Sequence, residues 1–187
     1  MSYFGRLKRE VIWIGLFIGS IWLIFMLDQF LPLESLGLRP RKLLGAIGIV
    51  TMTFLHGSLS HILSNTFPLL MLLLLLVGSK ANSALIIVMI TLIGGIMLWL
   101  LGSANTIHIG ASLLVFGLLG FLLINGFFFE RNIITIAISI FILFSYGGSI
   151  MAGFSPWQKG VSWDGHLYGF IAGVIVAYLD KKRKSFA

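Results

Sequence analysis

Ile109-Gly110-Ala111-Ser112-Leu113-Leu114 opens one long apolar stretch of this chain, and Trp163-Asp164-Gly165-His166-Leu167-Tyr168-Gly169 opens the last one. Each sets a residue of catalytic type, a serine in the first and a histidine in the second, at the start of sequence apolar enough to lie in a bilayer. A histidine in a membrane span is costly and marks function more often than not. A serine hydroxyl attacks an acyl group only when a neighbouring base takes its proton. The two stretches together point to membrane helices with a hydrolytic site between them.

Composition agrees with that class. Of 187 residues, 58% are hydrophobic and 10% charged, far from the balance of a water-soluble domain. There is no cysteine, which excludes disulfides and thiolate metal sites. The net charge of +7 does not indicate nucleic acid, because the basic residues sit in short runs beside apolar segments, as headgroup anchors do.

Outward from the two stretches, six apolar segments are legible: about 11–31, 55–78, 84–101, 112–129, 132–150 and 165–179. All are expected to be helical, since only a helix or a closed barrel satisfies its backbone in lipid and strand-like alternation is absent. The first is long enough to span and lacks a nearby small-x-small site, so it reads as a span and not a cleaved leader. Six spans place both termini on one side. With that side cytoplasmic, Arg6, Lys8, Arg9, Lys80, Arg131, Lys181, Lys182, Arg183 and Lys184 lie inside, against Arg39, Arg41, Lys42 and Lys159 outside, the positive-inside bias. Leu43 to Phe54 is too apolar for a solvated loop and too short to span, and is expected to lie in the interface or dip into the membrane. The whole chain reads as one domain, without repeats or a low-complexity linker.

Residues 102–111 are small and polar, so the chain can descend as a loop before a helix starts near Ser112; such backbone is tolerated at depth where it is buried or lines a cavity. A helix beginning there points free N–H groups and its positive dipole end at the serine, a setting for an oxyanion. The blander alternative is that Ser112 is an N-cap. In the last segment Gly165, Gly169 and Gly173 recur every four residues and bare one helix face for close packing, as Gly117 and Gly120 do in the fourth. His166 then lies within reach of Ser112 if the two helices pack. No acidic orienter is evident: Asp164 adjoins His166 in sequence but faces elsewhere round the helix, and Asp28 and Glu34 lie at the edge of the first span. Any catalysis would use a Ser–His dyad. A third cluster, His56 to Asn65, places His61 and Asn65 four apart on one helical face, where both can donate to an oxyanion or serve as polar glue between helices. His56 suits loop bracing better than chemistry.

His56-x4-His61-x3-Asn65, Gly110-Ala111-Ser112 and Gly165-His166-x2-Gly169-x3-Gly173, in this order on the second, fourth and sixth segments, strongly resemble the rhomboid intramembrane serine proteases. The resemblance runs from about Gly37 to Ala177. It implies an all-α membrane protein, a six-transmembrane-helix rhomboid bundle open to water on the extracytoplasmic side, in a bacterial cytoplasmic membrane. It further implies Ser112 as nucleophile, His166 as general base and then acid, and an oxyanion hole of His61, Asn65 and the Ser112 N–H. Phe116 stands where the family places an aromatic ring against the histidine, with Gly110 and His56 as supporting residues. Two features depart from the family: Leu113 replaces the usual glycine after the nucleophile, with bulk expected to narrow the site or alter substrate approach, and the first loop lacks a Trp-Arg pair.

The reaction expected is hydrolysis of a peptide bond in or near a transmembrane segment of another protein, with small residues preferred at the bond and local unwinding of the substrate helix. Transmembrane protein substrates and the bilayer are the expected partners; no cofactor or metal is called for. His56, Ser58, His61, Asn65 and His108 are expected to line a path for water. Two rival classes are a metal or haem protein using the four histidines, and a non-catalytic relative that binds transmembrane clients.

Overall fold

The computed structural model describes residues 3–79, 82–157 and 161–185. Lys80 and Lys159 lie outside the described residues, as do the side chains of Arg6 and Lys184. Six long helices make the bundle: α1 (Tyr3–Asp28), α3 (Leu59–Gly78), α4 (Ser83–Leu101), α5 (Ser112–Ile124), α6 (Ile133–Gly153) and α7 (Trp163–Ser185). The single turn α2 (Gly48–Thr51) lies between α1 and α3, with 3₁₀ turns at Leu33–Leu36, Leu44–Ile47 and Met52–Phe54. Among the described residues there is no named strand, and one isolated bridge joins Leu38 to His108.

Among the described residues five helices are long and apolar enough to cross a membrane, the fourth of them extended through a π-helical turn, Asn125–Glu130. The exception is α7, whose apolar stretch is bounded by Asp164 and by Asp180 with the basic residues after it. It nevertheless forms the centre of the bundle with α5, and Ala172, Val176 and Ala177 are fully buried. The reason is small residues. A side chain at Gly169 would strike the Leu113 carbonyl, one at Gly173 the Gly117 carbonyl, and one at Gly120 the Phe170 carbonyl. The two backbones are therefore in direct contact, which dispersion rewards where lipid offers no hydrophobic gain. Gly165, expected on the same face, instead lies against Ser162 and Leu98 of α4.

Peripheral helices are held by fewer ties. Trp22 of α1 donates to Thr66 of α3 at 3.1 Å, and Phe17 meets Phe54 edge-on. The loop from 33 to 54 folds into successive turns that bury Leu38 and Met52 while Leu43 and Leu44 are 85% and 90% exposed. Arg41 of this loop donates to the carbonyls of Leu100 and Gly102, which α4 leaves open at its C-terminus.

Candidate active site

A cavity of about 830 Å³ opens between α3, α5, α6 and the entrance to α7. Ser112, His166, His61, Asn65 and Phe116 all line it, joined by His108, Ser162 and Asp164 from the connecting segments and by Tyr146, Ser149 and Gly153 from α6.

Ser112 is the first residue of α5, and Ala111 is the cap, with no side-chain capping bond. The serine is thus not engaged as a cap, and it lines the cavity. The first intrahelical bond runs from the Val115 N–H to the Ala111 carbonyl. The N–H groups of Ser112, Leu113 and Leu114 accordingly start the helix without intrahelical acceptors. Just before it, Gly110 has φ +108°, a conformation open to glycine. A Cβ there would lie 2.6 Å from His61 Nε2, so glycine also lets the His61 ring rest against the backbone leading to the serine.

His61 is placed by the start of α3, where the Ser58 hydroxyl caps the helix by accepting from the His61 N–H. One turn on, Asn65 Nδ2 donates to the His61 carbonyl at 2.9 Å, which orients the amide and leaves its second N–H to spare. Three residues further, Pro68 lines the same cavity. Having no N–H, it leaves the Ser64 carbonyl without its usual helical donor.

His166 is held on two sides. Its Nδ1 lies 2.9 Å from the Gly153 carbonyl at the end of α6. A carbonyl only accepts, so Nδ1 carries the proton and Nε2 keeps its lone pair. The ring stacks on Phe116 with centroids 4.0 Å apart and planes within 5°. A side chain on Gly153 would strike both rings. Sequence reasoning did not find this orienter, because a backbone carbonyl carries no residue-type signal. Among the described residues no hydrogen bond joins Ser112 Oγ to His166. Catalytic hydrogen bonds are often long before substrate is bound.

Three expectations need correction. Leu113 is 3% exposed and points away from the cavity, into Leu38, Met52 and Leu98, with Gly94 of α4 beneath it; its bulk does not narrow the site. His56 and Ser58 do not line the cavity. His56 is buried behind the nucleophile loop, where its Nε2 accepts from the Ala111 N–H at 3.4 Å. It lies ahead of α3, outside the span, and burial, with His61 nearby, lowers its pKa to about 4 against the pull of the Phe54 carbonyl.

A further polar group occupies the mouth. The Thr106 hydroxyl donates to the Ser103 carbonyl at 2.6 Å and its oxygen lies 2.8 Å from His108 Nε2. His108 Nδ1 is 2.7 Å from Ser162 Oγ, whose hydroxyl donates to Asp164 Oδ1 at 3.1 Å. Burial lowers the His108 pKa, opposed by Asp164. Asp164 accepts from the N–H groups of Ser103 and Gly165. Among the described residues no three His, Asp or Glu side chains gather closely enough to hold a metal ion.

The rhomboid domain family matches residues 45–183. A Mycobacterium tuberculosis protein described as uncharacterized is 36% identical over 173 residues, covering 87% of this chain and 72% of its own length. A Mycobacterium bovis protein, likewise described, matches to the same extent. A third, from Mycobacterium leprae, is 36% identical over 174 residues, covering 87% of this chain and 68% of its own.

Proposed function

The chain belongs to the rhomboid family of intramembrane serine proteases and their inactive relatives, and on that premise we propose that it is an active endopeptidase of transmembrane proteins. The observation that carries this reading is His166: Nδ1 faces a carbonyl, Nε2 keeps its lone pair, and the ring is pinned in a cavity shared with a serine that caps nothing.

In the reaction, His166 Nε2 takes the Ser112 hydroxyl proton as Oγ bonds to the carbonyl carbon of the scissile peptide. The oxyanion is met by the Ser112 N–H, the spare Asn65 N–H and the His61 ring, donors already in place before charge develops. His166 then gives its proton to the leaving amine, and the acyl bond to Ser112 is hydrolysed by water entering through the polar mouth. Substrate enters between α3 and α6, whose facing sides line the cavity. A substrate helix must unwind there to present its carbonyl, and the Ser64 carbonyl, which lacks its usual helical donor, offers one acceptor for the freed N–H groups. The positive-inside bias supports both termini lying in the cytoplasm of a bacterial cell, with the cavity opening on the opposite face.

A fluorophosphonate is the direct test. It should label wild type at Ser112, and neither Ser112→Ala nor His166→Ala. A folded wild type that does not label would make the protein a binder of transmembrane clients.

A further inference from the structure

The mouth of the cavity holds a polar cluster that the dyad does not use. Its members come from two segments distant in sequence: Ser103, Thr106 and His108 from the loop that delivers Ser112, and Ser162 and Asp164 from the segment that delivers His166. Two bonds cross between them, from the Ser103 N–H to Asp164 Oδ2 at 2.8 Å and between His108 Nδ1 and Ser162 Oγ at 2.7 Å. Both lie within a few residues of a proposed catalytic group.

The link to the base is direct. The His166 N–H donates to the Ser162 carbonyl at 3.0 Å, so the residue whose hydroxyl reaches His108 also carries the first turn that sets His166. The Gly165 N–H bonds both Ser162 Oγ and Asp164 Oδ1, which locks that turn from within. On the loop, His108 is paired through its backbone to Leu38, and the Gly110 N–H donates to the Met52 carbonyl at 2.8 Å. The loop is therefore fastened to the first loop on one side and to the start of α7 on the other. Asp164 is 3% and His108 5% exposed, so each crossing bond lies where loss of a partner leaves a buried polar group unmet.

We propose that Asp164 and Ser162, with His108, are positioning residues that clasp the nucleophile's loop to the first turn of the base's helix and so set the register of His166 against Ser112. None of them touches the reacting atoms. The inference rests on the dyad reading of the same site. A misplacement of about 1 Å between reacting groups costs on the order of 100-fold in rate. Loss of the clasp should therefore slow the bond-making step without weakening encounter.

The test is fluorophosphonate labelling of the full chain in proteoliposomes, with kinact and KI resolved, for wild type, Ser162→Ala, Ser162→Thr, Asp164→Ala and Asp164→Asn. Each alanine variant should lose about 10- to 100-fold in kinact, with KI within about twofold. Ser162→Thr keeps the hydroxyl and should stay within about threefold of wild type. Asp164→Asn keeps volume and an acceptor oxygen, so a folded variant with an intermediate loss is at hand if Asp164→Ala does not insert. Amide exchange of residues 103–108 should quicken in the alanine variants while that of α3 does not. Folded alanine variants that keep wild-type kinact overturn the clasp and leave the dyad standing. A wild type that never labels at Ser112 overturns the dyad reading, and the clasp with it.

Discussion

Leu113→Gly separates what the family pattern suggests from what this fold does with the residue after the nucleophile. The leucine is buried beneath the first loop, beside Leu38, Met52 and Leu98, with one methyl 3.0 Å from where a Cβ on Gly94 would lie. Removing such a side chain from a packed interior costs about 2–5 kcal/mol. Glycine costs about 1 kcal/mol more than alanine inside a helix. A loss of about 3–6 kcal/mol follows, which for a chain of this size lowers the melting temperature by roughly 6–24 °C. Thermal unfolding in detergent measures it. Fluorophosphonate labelling, taken well below the transition, should stay within about twofold of wild type, because the side chain removed does not reach the cavity. Gly94→Ala should destabilise wild type by crowding Leu113 and Ala172, and should cost less in the Leu113→Gly background, a coupling that a double-mutant cycle reads. The reasoning is refuted if Leu113→Gly raises the labelling rate or admits bulkier residues at the scissile bond, since either would place Leu113 in the substrate path.

Ser112→Ala and His166→Ala should each abolish cleavage of a helix-destabilised transmembrane substrate, and the double variant should be no worse than either, because nucleophile and base act as a unit. His61→Ala and Asn65→Ala should each lower turnover by up to about 10²–10³-fold, measured at substrate saturation. His108→Ala should be milder than His166→Ala; the opposite order in the same assay would move the base assignment. His56 stays neutral in the fold down to about pH 4, whereas its unfolded counterpart binds a proton near 6.5. The unfolded state therefore holds more protons in that window, and stability falls by about 3 kcal/mol as pH drops through it. His56→Gln keeps an acceptor for the Ala111 N–H without titrating, and should flatten the acid limb of a melting-temperature profile between pH 6.5 and 4.

What the sequence made legible was whatever depends on residue type along one segment. Apolar runs announced the helices, and the small polar stretch 102–111 announced a loop ending at Ser112. Glycines at 169 and 173 announced a helix that touches another backbone. Gly165 was misread because it starts the helix beside Ser162 and does not face α5. Leu113 was misread because its direction depends on Gly94, nineteen positions earlier on another helix. The carbonyl that orients His166 and the N–H that anchors Asp164 belong to the backbone, and no residue type signals them. The clasp was missed because its two crossing bonds join positions 61 and 54 apart in sequence.

The distribution of satisfied and unsatisfied groups explains why the cavity suits acyl transfer. Serine and threonine hydroxyls elsewhere in the helices mostly bond a backbone carbonyl of their own or a neighbouring helix, as Ser20, Thr66, Ser79 and Ser139 do. Ser112 Oγ makes no such bond, and the first N–H groups of α5 have no intrahelical acceptor. Beside them lie the second N–H of Asn65, the free nitrogen of His166 and the Ser64 carbonyl that Pro68 leaves open. In water this spare capacity would be filled at once and carry no consequence. In the cavity it is held in fixed positions by the surrounding helices, so little reorganisation is needed when a tetrahedral carbon forms. The cost of leaving those groups open is offset by the packing of α5 on α7, where backbone meets backbone at Gly169 and Gly173. A bulkier residue at either glycine should therefore separate Ser112 from His166 before it unfolds the chain.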